Sequence, residues 1–213
     1  ASTAAFTVCP RINAAGRITS AHRAAELLLS EEKSEAKKIA AELCEINKRR
    51  QALEMEMFAE ALSQIEENYK GDRVLVLCSD GWHQGVIGVV ASKITEKYSL
   101  PSILISFDGD LGKGSGRSIK GFSIMDALKD SEEHLVKFGG HELAAGLSIE
   151  RRALPEFRRR INEYANNVFS DGESEIVIEA DGLITANAMT LSLAEELSRV
   201  VEPCGSGNPS PLF

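Results

Sequence analysis

RVLVLCSDGWHQGVIGVVASKITEKYSLPSILISF, residues 73–107, changes its hydrophobic period twice. Its opening RVLVLCS is a continuous apolar run of strand type. Asp80 and Gly81 then turn the chain, and Val86, Ile87, Val89, Val90 and Ile94 recur at helical spacing over residues 85–98. Pro101 announces SILISF, a second short apolar run. Strand, helix and strand within 35 residues make a βαβ unit, which begins an α/β domain. The turn WHQG lies where a strand feeds a helix N-terminus, a place that favours anions. Trp82, the only tryptophan, either stacks on a base or covers the sheet edge. His83 faces either solvent or a site.

Upstream of this unit, apolar residues recur every three or four positions from Ala36 through Ile39, Leu43, Ile46, Leu53, Met57, Ala61 and Ile65. That spacing predicts one helix of about 35 residues over 34–70, about 50 Å long. A helix so long spans between bodies. Asn47, Lys48, Arg49, Arg50 and Gln51 sit at its middle, either as a solvated face or with Arg50 or Gln51 reaching into a groove that the helix crosses. A shorter helix is expected over 21–29. Residues 1–20, punctuated by Pro10, Asn13, Gly16 and Ser20, read as irregular. They contain CPRINAAGRI, in which Arg11 and Arg17 flank a slim path. Two such arginines either clamp an anion or simply decorate a surface loop.

Downstream, eight of the seventeen glycines fall between Gly109 and Gly146. They form two signatures, LGKGSGRS (111–118) and FGGHELAAG (138–146), each holding one ionisable side chain among small residues: Arg117 and His141. Small residues with a single cation suit a phosphate-contacting surface, since backbone N–H groups come close and the side chain supplies charge. Glycine-kinked strands with an incidental Arg117 and His141 are the alternative. Beyond lie a short helix over 123–129 capped by Ser123, a helix over 154–168 with a basic face at Arg158–Arg160, a strand over 175–184 and a helix over 191–200. EPCGSGNPSPLF closes the chain as a turn cluster that marks a domain boundary near Pro203.

A net charge of −8 excludes a general duplex-DNA coater, yet the charge is uneven: residues 1–30 carry three arginines against one glutamate. Polyanion contact must therefore come from particular residues. Cys9, Cys44, Cys78 and Cys204 are far apart, with no C-x-x-C, and read as reduced thiols of a cytosolic protein. No signal peptide or membrane span is legible. The four histidines, His22, His83, His134 and His141, stand in no metal-binding spacing, and neither a hydrolase elbow nor a Walker loop occurs. Residues suited to gripping a phosphate are present; residues suited to attacking one are not evident.

CPRINAAGRI, WHQGVIGVVASKI, GSGRS, FGGHELAAG and EPCGSGNPSP occur in this order and together resemble the RecJ family of single-stranded-DNA-specific exonucleases, in the DHH phosphoesterase superfamily. Cys204 departs from the phenylalanine usual in that family. The resemblance implies an α/β fold in which residues 1–33 end a DHH catalytic region and 34–70 connect it to a mixed-sheet DHH-associated domain over 71–168. Residues 169–213 would then lead into an OB-fold domain, so both ends read as cuts within a longer enzyme. It implies 5′-to-3′ hydrolysis of single-stranded DNA in repair and recombination. Manganese or magnesium would be held mainly by the DHH domain, with no metal ligand in this stretch. Ser115 and Arg117 match the residues that contact the 5′ phosphate, with Arg17 or Arg11 nearby and Gly139 and Gly140 beside them. Gln51 matches a contact on the connecting helix, and His141 the histidine that faces the metals. Single-stranded DNA is the implied partner, with a helicase or single-strand-binding protein as further candidates, in the cytoplasm and away from membranes. Two alternatives stay open: a nanoRNase or cyclic-dinucleotide phosphodiesterase of the same superfamily, and a non-catalytic nucleic-acid-binding module. On the leading reading, this stretch alone would be inactive as a nuclease.

Overall fold

The computed structural model describes residues 3–169, 179–205 and 207–213. They fall into two compact units, one of residues 11–174 and one of residues 1–10 with 175–213.

The larger unit is built on a five-stranded mixed sheet. The βαβ expectation holds: β1 (Leu75–Ser79) and β2 (Ser102–Asp108) run parallel through α4 (Ile87–Tyr98). β3 (Leu111–Arg117), β4 (Lys137–His141) and β5 (Ala144–Glu150) then add as antiparallel strands, in the spatial order β1-β2-β3-β5-β4. β2 is buried along nearly its whole length, because helices cover both faces and a doubly covered strand reads as an unbroken apolar run. On one face α5 (Ile124–Asp130) and α6 (Leu154–Phe169) close over Ile103, Ile105, Phe107, Leu147 and Ile149. On the other, α4 and the C-terminal half of α3 (Lys33–Asn68) close over Leu75, Leu77 and Leu104. Ser123 caps α5 as expected, its Oγ accepting from the Asp126 N–H at 3.2 Å.

α3 has 36 residues, about 54 Å at 1.5 Å each. It serves two apolar clusters. Met57, Ala61 and Ile65 pack under the sheet, while Ile39 and Leu43 pack with Ala15 of α1 (Cys9–Ile18) and Ala24 of α2 (His22–Leu29). Between them lies a polar node. Glu54 and Asn47 are each 5% exposed; Arg50 pairs with Glu54 and donates to Asn47 Oδ1 at 2.8 Å, and Lys93 of α4 pairs with Glu54. The expected mid-helix cluster is thus divided, with Arg50 turned into this network and Lys48, Arg49 and Gln51 exposed.

Several expectations are corrected. Residues 3–18 are not irregular: a π-helical turn at Ala4–Val8 runs directly into α1. Ala14 and Ala15 are buried helix residues, not a slim path. Of the two readings of Trp82, the structure favours cover of the sheet over stacking on a base. Trp82 is 3% exposed, with Nε1 donating to Glu60 Oε2 at 2.8 Å. Arg158–Arg160 form no basic face. Arg159 pairs with Glu156 and Glu163, Arg160 pairs with Asp130, and Arg158 is half-buried with Nη2 reaching Cys78 Sγ at 3.5 Å. The strand expected over 175–184 lies partly outside the described residues, and its described part, 179–184, forms no strand.

In the smaller unit, α7 (Leu191–Val201) is capped by Thr190, whose Oγ1 accepts from the Leu193 N–H at 3.2 Å. The Asn208 amide donates to the carbonyls of Val201 and Pro203, which holds the turn that follows the helix. Among the described residues no helix is long and apolar enough to cross a membrane.

Candidate nucleic-acid interface

Strand alternation separates the two halves of the GKGSGR run. Gly112, Gly114 and Gly116 face the α5–α6 core. A Cβ on them would stand 2.7 Å from Ile105 Cγ2, 2.9 Å from Leu147 Cδ1 and 2.4 Å from Ile124 Cδ1 respectively. These glycines exist for packing, not for approach to a ligand. Lys113, Ser115 and Arg117 face the other way, toward the side covered by α4.

α4 covers that face over β2 and β3, and α3 covers it over β1. Across β5 and β4 the same face is open, and the register lays its residues out in rows. Arg117 stands opposite Ala144, and Ala144 opposite His141. Ser115 stands opposite Gly146, and Gly146 opposite Gly139. Directly paired residues share a face, so these six form one patch. Its floor is small and bare. A Cβ on Gly139 would meet nothing within 4 Å, and one on Gly146 only the Gly114 carbonyl oxygen at 3.8 Å. The fold does not require glycine at Gly139 or Gly146. Gly140 is different: it points to the opposite side, and a Cβ there would strike the Ala144 carbonyl oxygen at 2.4 Å.

One wall of the patch is the turn into α4. His83 shapes it: its carbonyl accepts from Val86 and Ile87 N–H at 2.8 and 3.1 Å, and its Nδ1 accepts from Gly85 N–H at 3.1 Å. Gly85 lets α1 lie against the turn, since a Cβ would overlap the Arg17 carbonyl oxygen at 2.1 Å. Arg17 Nη1 donates back to the Gly85 carbonyl at 3.2 Å. Gly88 does the same for β3: a Cβ would stand 2.9 Å from Ser115 Oγ and 3.1 Å from Arg117 Nη2. Two glycines three residues apart on one turn therefore seat the two arginines.

Arg117 is half-buried. Its Nε donates to Ser92 Oγ at 3.2 Å, and its Nη1 donates to Ser115 Oγ at 3.1 Å and the Gly116 carbonyl at 2.7 Å. All these acceptors are neutral. Among the described residues no carboxylate forms an ion pair with Arg117 or Arg17. Burial, and secondarily the charge of Arg17, push the Arg117 guanidinium below its ordinary value. A bound anion would offset both effects. Ser92 was not legible as part of this site from the sequence. The signal was its place one helical turn after Gly88.

The other expected residues divide. His141 is exposed at the end of the Arg117 row. Arg11 and Arg17 are six residues apart on one helix, hence about 120° apart around its axis, so they form no clamp. Gln51 is exposed on the face of α3 that carries Asn47 and Glu54, and its side chain makes no hydrogen bond among the described residues. Among the described residues no three His, Cys, Asp or Glu side chains are grouped to hold a metal ion.

A model of the DHHA1 domain matches residues 71–167. The single-stranded-DNA-specific exonuclease RecJ of Bacillus subtilis is 36% identical over 211 residues, covering 98% of this chain and 27% of the relative. The RecJ of Escherichia coli is 36% identical over 222 residues, covering 100% of this chain and 38% of the relative. Crystal structures of RecJ from Thermus thermophilus, in complex with Mg2+ and with Mn2+, match with TM-scores of 0.86 and 0.87 at 34% identity. Each match covers 100% of this chain, and 33% and 31% of those chains. The chain thus spans about a third of the length of the relatives it matches. The described residues here do not fit such an ion. Residues 71–167 are a DHHA1 domain, and over its whole length the chain is a homologue of the corresponding part of the RecJ exonucleases.

Proposed function

We propose that this chain is the substrate-gripping part of a single-stranded-DNA exonuclease, and that Arg117, Ser115 and Arg17 hold the terminal 5′ phosphate. The observation that carries this reading is Arg117: a half-buried guanidinium with neutral partners only, beside a second arginine that also lacks a carboxylate. A phosphate supplies the missing charge and accepts paired hydrogen bonds from the planar fork. The bare strip of Ala144, Gly146 and Gly139 then gives the sugar–phosphate chain room to lie on the sheet. A fixed 5′ end sets the register of the strand against the hydrolytic centre. His141, at the far end of the row, faces that centre and assists the chemistry there. The divalent ions are carried by a DHH domain on the other side of the cleft, by likeness to the metal-bearing relatives. Backbone contact without base reading fits a chain whose only tryptophan is buried.

The polarity, from the 5′ end, and a role in DNA repair and recombination rest on the same likeness. So does the inference that a helicase or single-strand-binding protein delivers the substrate in the cytoplasm. Gly140 lies on the other face of β4, where it packs closely against Ala144 and Ala145 of β5, and is assigned no contact with DNA. Arg11 and Gln51 are assigned no contact with DNA. The decisive test compares binding of 5′-phosphorylated and 5′-hydroxyl single-stranded oligonucleotides to the wild-type chain and to Arg117→Ala. The wild type prefers the phosphorylated end and the variant does not. Equal affinities for both ends in the wild type overturn the pocket.

A further inference from the structure

Two cations lie on the same open face beyond the residues already assigned. Lys113 stands opposite Ser148 on β5, and Ser148 opposite Lys137 on β4. This is a third row on the patch, beside the rows of Ser115–Gly146–Gly139 and Arg117–Ala144–His141. Both lysines are exposed, and neither forms an ion pair among the described residues. Two acidic positions on this face, Asp108 of β2 and Glu150 of β5, stand on either side of Leu111; Glu150 pairs with Arg152, and Asp108 forms no ion pair with either lysine among the described residues. Lys113, Lys137 and Ser148 line a concavity of about 400 Å³ whose floor includes Gly139 and Gly146. Four residues along β3 separate Lys113 from Arg117, about 14 Å at 3.4 Å per residue. Two strand spacings separate the lysines from each other, about 10 Å.

We propose that Lys113 and Lys137 form a second phosphate-binding subsite, flanking the single strand on both sides downstream of the 5′-phosphate pocket. The proposal rests on the reading of Arg117 given above and extends it. The strand enters between the two ammonium groups, crosses the bare Gly146–Gly139 floor and ends at Ser115 and Arg117. Lysine suits this role because a flexible point charge tolerates a moving backbone, whereas the arginine fork fixes a terminal group. A strand of one or two nucleotides held at Arg117 does not extend to the lysines, while a longer one does.

The test measures binding of a 5′-phosphorylated dinucleotide and a 5′-phosphorylated dodecanucleotide across a salt series, to wild type, the double variant Lys113→Ala/Lys137→Ala, the double variant Lys113→Arg/Lys137→Arg, and Arg117→Ala. The alanine pair should bind the dinucleotide as wild type does and bind the dodecanucleotide more weakly. Its slope of log affinity against log salt should be shallower by about 1.4, from about 0.7 per single-strand phosphate contact. The arginine pair should restore the slope, which a loss of fold would not allow. An unchanged slope, or an equal loss for both lengths, overturns the subsite. Loss of end preference in Arg117→Ala reads the pocket separately. If the alanine pair changes the slope while Arg117→Ala keeps its end preference, the pocket fails and the lysine track stands. No measurable binding of the dodecanucleotide by wild type at low salt overturns both.

Discussion

At the scale of single residues, Arg117 is the costly position. A guanidinium half out of water, facing a second cation, is tolerated because three neutral acceptors fix its orientation. Hydrogen bonds to charged groups contribute about 1.5–3 kcal/mol each. Arg117→Lys keeps the charge and loses the fork, so preference for a phosphorylated end should fall about tenfold in competition binding. Full retention would mean that charge alone suffices. The glycines give a sharper contrast. Gly116→Ala places a methyl 2.4 Å from Ile124 Cδ1 and should cost about 1–3 kcal/mol in urea unfolding. Gly139→Ala meets nothing and should leave stability unchanged while weakening DNA binding. If the two variants were equally destabilised, the separation of packing glycines from floor glycines would fail. The sequence shows both sets in the same two signatures and cannot tell them apart by composition. Alternation relative to Arg117 is what sorts them, and that requires knowing that the run is a strand.

Among the elements, α3 does two jobs, and its middle marks the change from one to the other. Glu54 is buried between Arg50 and Lys93. Removing one partner of a buried pair leaves the others without compensation, so Glu54→Ala should destabilise by about 3 kcal/mol in denaturant unfolding. A change below about 0.5 kcal/mol, the usual scale for surface sites, would show that the node is solvated. The helix itself was legible because its apolar positions keep one period for ten turns. The node was not, since Asn47, Arg50 and Glu54 have the chemistry of a wet surface and Lys93 lies on another element. The partner of Trp82 was hidden for the same reason: Glu60 is 22 residues away in sequence. α1 was read as a loop because Pro10, Asn13 and Gly16 all lower helix propensity. Burial of Ala15 against α2 and α3 outweighs that.

For the whole molecule, an acidic chain presents one locally basic sheet face. Overall charge repels a polyanion, so the proposed contact is confined to particular residues: Arg17, Arg117, Lys113, Lys137 and His141. Grip and chemistry are assigned to different domains. This chain should therefore degrade no single-stranded DNA when supplied with Mn2+ or Mg2+ in a product-release assay, and clear digestion would relocate the hydrolytic centre. The α/β fold, the long helix and the pairing of Ser115 with Arg117 were readable from period and motif. The open half of the sheet face was not, because strand order β3-β5-β4 is set by long-range pairing.

On the proposed function, the DNA backbone lies on the open face of β3, β5 and β4 with its 5′ phosphate at Arg117. Chemical-shift mapping tests it most directly: titrate the isotopically labelled 23.1 kDa chain with a 5′-phosphorylated single-stranded oligonucleotide. The largest amide shifts are expected at Gly85, Gly88, Ser115, Arg117, Gly139, Ala144 and Gly146. Shifts centred on α5 and α6, with those residues unmoved, would contradict it.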